Sequence, residues 1–201
     1  ICKIYTESHG LQSFIVNGVR KSKNSQLSIF QPLNQLDLIF YMKKNSTLHR
    51  IKESKIYKIY KSLHYEIPKI SICFFLSEFL IKVLTSEEDQ NKKFEFISKS
   101  IQDFDKIVKD YNDFHVKFLI KLSHHFGIGI SNHLQLTVYI NSDTLVTRYI
   151  ENCITDDYDI ITKSNNILRN KVINLIIECY KTNLDINFNI NSNDVLNKIF
   201  K

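Results

Sequence analysis

Three cations, Arg20, Lys21 and Lys23, fall within four positions of the polar stretch 17–25, where Gly18 frees the backbone to follow an irregular path. Lys43 and Lys44 stand together at the end of an apolar run, and Arg50 and Lys52 alternate in another. Long cationic side chains in or beside loops are the residue type that neutralises a phosphate backbone. Tyr5, Phe14, Phe40 and Tyr41 lie among them, and an aromatic face in that setting stacks on an unpaired base. Phe14 and Phe40 read better as core, whereas Tyr5 and Tyr41 suit either role.

Chemistry of other kinds finds little support. Neither G-x-x-x-x-G-K-[ST] nor G-x-G-x-x-G occurs, so no glycine loop cradles a nucleotide. His124 and His125 are adjacent and point about 100° apart on a helix, which keeps them from sharing one ion. Cys2, Cys73, Cys153 and Cys179 form no C-x-x-C pair, which argues against zinc or a disulfide framework and fits a reduced, cytoplasmic compartment. Three of the four lie on apolar helix faces and read as small core residues. The carboxylates at 87–89 and 156–157 look like solvated loops. No active site, metal or cofactor is expected, and a metal-dependent nuclease has no residue cluster behind it.

The 201 residues carry a formal charge of +6, with 43% hydrophobic and 24% charged residues, the usage of an ordinary folded domain. Residues 1–62 hold eleven Lys/Arg against three acids, and the remainder is slightly acidic. A basic field concentrated in one third of the chain marks a phosphate-binding surface better than uniform compositional drift does. No run is apolar and long enough to span a bilayer, and the start does not read as a signal peptide.

Those cations need a scaffold, and the hydrophobic periods supply one. Short alternating runs at 1–5, 11–16, 36–41 and 47–51 predict strands, and several strands in some sixty residues predict a small barrel of the OB type. The first residues already read as a strand, so the barrel's first strand is expected to be incomplete. Beyond Pro68 the period becomes helical. It predicts a buried central helix over 70–84 and further helices at 91–108, 111–126 (stopped by Gly127), 145–153, 166–181 and 193–200. Leu134, Leu136, Val138 and Ile140 alternate and predict one short strand among the helices. The expected fold is α+β: an OB-fold-like basic DNA-binding domain at 1–62 and a helical domain at 63–201.

The run from Ile4 through Glu7, His9-Gly10 and Phe14 to Gly18-Val-Arg-Lys-Ser-Lys23 resembles the opening of the RecO family of recombination mediators. Leu27-Ser-Ile-Phe-Gln-Pro-Leu33, the helix with His124-His125-Phe-Gly127, and the tail 191–200 are similar to later segments of that family in the same order. The resemblance implies an OB-fold and a helical domain working in RecF-type DNA repair in the bacterial cytoplasm, at the nucleoid. It implies binding of single- and double-stranded DNA, strand annealing, and action with RecR in loading RecA. It also implies that the helical domain receives the acidic, phenylalanine-ended tail of single-strand-binding protein, for which Lys117 and Lys121 are the candidate cations. Many relatives carry four zinc-binding cysteines after the helix that ends here at Gly127; this chain has Ile128-Gly-Ile-Ser131 instead, so no zinc is expected. The expected DNA contacts are Arg20, Lys21, Lys23, Lys43, Lys44, Arg50, Lys52 and Tyr41. The alternative is a helical adaptor whose basic segment meets an acidic protein.

Overall fold

The structure, a computed structural model, describes residues 1–16, 26–42, 46–86, 91–137 and 144–200. Four strands form one sheet: β1 (Cys2–Thr6), β2 (Gly10–Ile15), β3 (Leu36–Tyr41) and β4 (Leu48–Ile56), in the order β1-β2-β4-β3. β1 and β2 make a hairpin across a turn in which Gly10 takes a φ of 62°, and the Thr6 hydroxyl accepts the His9 N–H. β2 then pairs parallel with β4, which pairs antiparallel with β3. The one-turn helix α1 (Gln26–Ile29) precedes β3. Among the described residues the sheet is open and not a closed barrel.

Helices fill the rest. α2 (Ile67–Val83) opens with Pro68, whose missing N–H costs nothing in a first turn. It runs through the centre of the helical body, with Ile72, Phe75, Leu76 and Phe79 fully buried. α3 (Asn91–Lys106), α4 (Phe114–Ser123), α6 (Thr144–Thr155), α7 (Asn166–Leu184) and α8 (Ser192–Ile199) surround it, and the one-turn α5 (Leu134–Thr137) lies between α4 and α6. α4 ends in a 3₁₀ turn at His124–Phe126, and Gly127 at φ 72° stops it as the sequence predicts. Asn165 caps α7 by accepting the Leu168 N–H.

The strand expected from Leu134 onward is corrected: residues 134–137 are helical. Asn132 and Gln135 explain why. The Asn132 side chain accepts the Gln135 N–H, and Gln135 Oε1 accepts the N–H groups of Ser131 and Asn132, a reciprocal cap that starts a helix locally. Leu136 is buried and Leu134 exposed, so the apparent alternation does not reflect a strand face.

α3 joins the two parts because it is apolar on one face and polar on another. Ile97, Ile101 and Phe104 enter the helical core. On another stripe Phe94 meets Tyr5 (5.9 Å between rings), Ser98 accepts from Gln35 (2.6 Å), and Gln102 accepts from Lys58 (2.6 Å). At its end Asp105 accepts three consecutive backbone N–H groups, Lys61, Ser62 and Leu63, at 2.9, 2.8 and 3.0 Å. Burial raises the Asp105 pKa, but these donors outweigh it and hold the carboxyl below its ordinary value. Beside it lies Lys69, wholly buried, whose ammonium donates to Ser62 Oγ and to the Phe104 and Ile107 carbonyls at the close of α3. A cation there also meets the negative end of the helix dipole.

Two expectations follow. Asp105→Ala leaves the Ser62 and Leu63 donors without an acceptor and lowers stability by about 1–3 kcal/mol in urea titration. His115 is 1% exposed, between Phe75 and Phe200, and its Nδ1 has no hydrogen-bond partner among the described residues. Burial, helped by Arg169, pushes its pKa down to about 3. The unfolded chain therefore takes up a proton near pH 6.5 that the folded chain refuses, so stability falls as pH drops from there, by up to about 1.4 kcal/mol per unit. His115→Leu should reduce that slope between pH 6.5 and 5.5, above the range where most carboxylates titrate, leaving the part owed to His64 and His125, whose pKa values burial also lowers.

Candidate nucleic-acid interface

The two faces of the sheet differ in kind. Inward, Phe14 is fully buried and meets Phe40 edge to face at 4.9 Å, with His9 and His49 closing the ring cluster. Phe14 is core, as its sequence setting suggests, and Phe40 is half-buried against it. Tyr5 is half-buried against Phe94, and burial pushes its hydroxyl up to about 12, so it serves the contact between sheet and helix.

Outward, three strands bring one rung of side chains together. Ile15 on β2 is opposite Arg50 on β4, and Arg50 is opposite Tyr41 on β3. Tyr41 is 61% exposed, and Met42, beside it in the chain, is 50% exposed. Arg50 is exposed, and its side chain has neither an ion pair nor a hydrogen bond among the described residues. Other β4 cations do have partners: Lys55 meets Asp37 at 3.3 Å, and Lys52 meets Glu53 at 3.7 Å. These are exposed pairs of small worth, so a phosphate can compete for either lysine.

Lys52 also departs from the simple alternation that its spacing from Arg50 suggests. The register slips between Ile39, opposite Glu53, and Phe40, opposite Ile51, so Lys52 is the unmatched residue of a bulge. Lys52 and Glu53 are consequently both exposed.

Arg20, Lys21, Lys23, Lys43 and Lys44 lie outside the described residues. In sequence, the stretch 17–25 begins two residues after Ile15, and Lys43 comes two residues after Tyr41. The Ile15–Arg50–Tyr41 rung is thus the part of the sheet from which both basic stretches depart. Ile15 is the member that sequence reasoning misses. A strand-end isoleucine reads as core, and only the non-local β2–β4 pairing places it beside Arg50.

The helical candidates are corrected in part. Lys117 is 1% exposed, and its ammonium donates to the Asp157 and Ile160 carbonyls at 2.8 and 2.7 Å. Burial lowers its pKa. The reason is that α4 is buried on nearly every side and the 157–160 loop closes over it, so the solvated face expected at position 117 does not exist. Lys121, one turn on, is partly exposed, 3.5 Å from Asp157 and over the Tyr158 ring at 5.5 Å. The two lysines do not form one cationic site.

Residues 128–131 offer no zinc donors, and among the described residues no three His, Cys, Asp or Glu side chains converge as a metal set. Nor is any helix among the described residues long and apolar enough to cross a membrane.

An open four-stranded sheet, with an arginine and a tyrosine paired on its outer face and an all-helical body behind it, makes this an α+β chain whose β part stops short of a closed OB barrel. The family model described as recombination protein O, N terminal, matches residues 1–60. DNA repair protein RecO of Christiangramia forsetii is 29% identical over 222 aligned residues, spanning all of this chain and 91% of that one. The RecO proteins of Phocaeicola vulgatus and Flavobacterium psychrophilum are 33% and 34% identical over 129 and 136 residues, covering 64% and 66% of this chain but only 54% and 57% of theirs. The chain is thus similar to RecO proteins along its whole length, and its first 60 residues match that family's N-terminal model.

Burial separates the two helical lysines in a measurable way. Lys117→Ala strands two carbonyls and opens a cavity, and should cost about 1–3 kcal/mol in thermal or urea unfolding. Lys121→Ala should stay within about 0.5 kcal/mol of the parent.

Proposed function

We propose that the chain is a DNA-binding recombination mediator of bacterial DNA repair. Its relatives are named DNA repair proteins, and the basic first third of the chain supports the same reading. The observation that carries it is Arg50, unpaired among the described residues and opposite the exposed Tyr41. A guanidinium free of protein partners is available to a phosphate, and a tyrosine ring facing water is available to a base. In this reading the sheet holds single- and double-stranded DNA through its backbone, with Lys52 and the cations of 17–25 and 43–44 extending the track. Annealing then needs only two strands held close, without nucleotide and without turnover. Action with RecR in loading RecA, and reception of the acidic tail of single-strand-binding protein, belong to the same proposal. The Lys117–Lys121 pair is not its receptor, since Lys117 is enclosed.

Fluorescence anisotropy with single-stranded DNA across a salt series tests the assignment. Arg50→Ala should weaken binding at low salt and flatten the slope of log affinity against log salt by about 0.7, the value of one phosphate contact. Tyr41→Ala should weaken binding by about 1–3 kcal/mol, the worth of one stacked base, with the slope unchanged. If both variants keep the parent's affinity and slope, DNA does not bind on this face.

A further inference from the structure

The Ile15–Arg50–Tyr41 rung places a DNA strand on the sheet, and the neighbouring rung gives the strand a direction. Phe14 and His49, both buried, are opposite one another across β2 and β4. Side chains alternate along a strand, so Ser13, Ile15, Leu48 and Arg50 share the outer face. Ser13 is opposite Leu48 on one side and Lys3 of β1 on the other. A second outward rung, Lys3–Ser13–Leu48, therefore lies beside the first. Lys3 is exposed, and neither its ammonium nor the Ser13 hydroxyl has a partner among the described residues.

A strand held at Arg50 and Tyr41 can leave along β3 and β4 or across the sheet. Along β3 and β4 the outer face turns acidic. Glu53, opposite Ile39, and Asp37, opposite Lys55, follow the Arg50–Tyr41 rung. Their side chains are 64% and 49% exposed, so a phosphate drawn that way meets the carboxylates as well as their lysine partners. Across the sheet the outer face carries no acid on either rung. From Arg50 it presents Ile15, 36% exposed, then Ser13 and Lys3. Glu7, the acid of the β1–β2 hairpin, is in the turn, four residues beyond Lys3. Strand spacing and rise put the Lys3 and Arg50 Cα atoms about 12 Å apart, a gap that a few nucleotides of extended strand bridge.

We propose that single-stranded DNA crosses the outer face of the sheet from β3 to β1, with Lys3 as a second phosphate contact at the far end. The proposal rests on the reading of the Arg50–Tyr41 rung as a DNA surface, and gives that surface a direction and a second anchor. A base on Tyr41 leaves its phosphate at Arg50, and the backbone then passes over Ile15. The Ser13 hydroxyl and the Lys3 ammonium meet a phosphate further on. These contacts position the strand and carry no base preference.

Fluorescence anisotropy in a salt series, with single-stranded DNA and the full chain, compares two exposed lysines on opposite sides of Arg50. Lys3→Ala should weaken binding at low salt and flatten the slope of log affinity against log salt by about 0.7. The Lys3→Ala, Arg50→Ala double variant should flatten it by about 1.4, two contacts' worth. Lys55→Ala, off the path, should keep the parent's slope. Circular dichroism should match the parent throughout, because all three side chains are exposed. Flattening by Arg50→Ala but not by Lys3→Ala overturns the crossing path and leaves DNA on the rung. Flattening by Lys3→Ala but not by Arg50→Ala overturns it as well, since the strand would then miss the rung. Equal flattening by Lys3→Ala and Lys55→Ala overturns it too, because the lysines would be acting through the general field. Unchanged slopes in Arg50→Ala and Lys3→Ala alike remove both the path and the surface it rests on.

Discussion

The carboxylate of Asp105 is the point at which the two parts of this chain become one structure. It accepts three successive N–H groups from residues 61–63, where the chain has left β4 and not yet begun α2. Backbone donors between regular elements have no ladder or helix to satisfy them, and leaving them unpaired costs as much as losing a hydrogen bond. Asp105 satisfies all three with one side chain, and Lys69 satisfies the Phe104 and Ile107 carbonyls beside it. A buried ammonium stripped of such partners would be expensive, so the lysine and the linker hold one another in place.

From that clasp the position of the sheet follows. Asp105 sits on the same stripe of α3 as Gln102, Ser98 and Phe94, and each of those holds a residue of the β region. The inner face of the sheet is spent on its own aromatic cluster and on α3. What remains outward is the other face, with Arg50 and Tyr41 opposite one another. Rigid attachment matters to a surface that works by geometry, because each freely moving side chain or domain adds an ordering cost on binding.

Much of this was legible in the sequence. Strand alternation at 36–41 and helical periods through 70–84 and 166–181 are signals carried by neighbours in the chain, and the structure places elements over all three. Gly127 as a helix stop was legible for the same reason. The failures share a cause too. Leu134 and Leu136 alternate like a strand, but a local cap from Asn132 and Gln135 outweighs two apolar residues. Lys117 looks like a solvated cation until the 157–160 loop, forty positions away, closes over it. The Ile15–Arg50 pairing and the Asp105 clasp both join residues thirty-five or more positions apart, and no local period encodes such contacts. The bulge at Lys52 belongs with them, since it is a slip between two strands and not a property of either.

If Asp105 welds the sheet to the helices, linker and helical core must open together. Native-state hydrogen exchange reads this directly, since local opening and global unfolding give different free energies for each amide. The amides of Ser62 and Leu63 should exchange only through global unfolding, with the same free energy and the same denaturant dependence as the amides of Phe75 and Leu76 in α2. Exchange of Ser62 and Leu63 at a distinctly lower free energy, with α2 still protected, would mean that the sheet and its linker detach on their own, and would contradict the account.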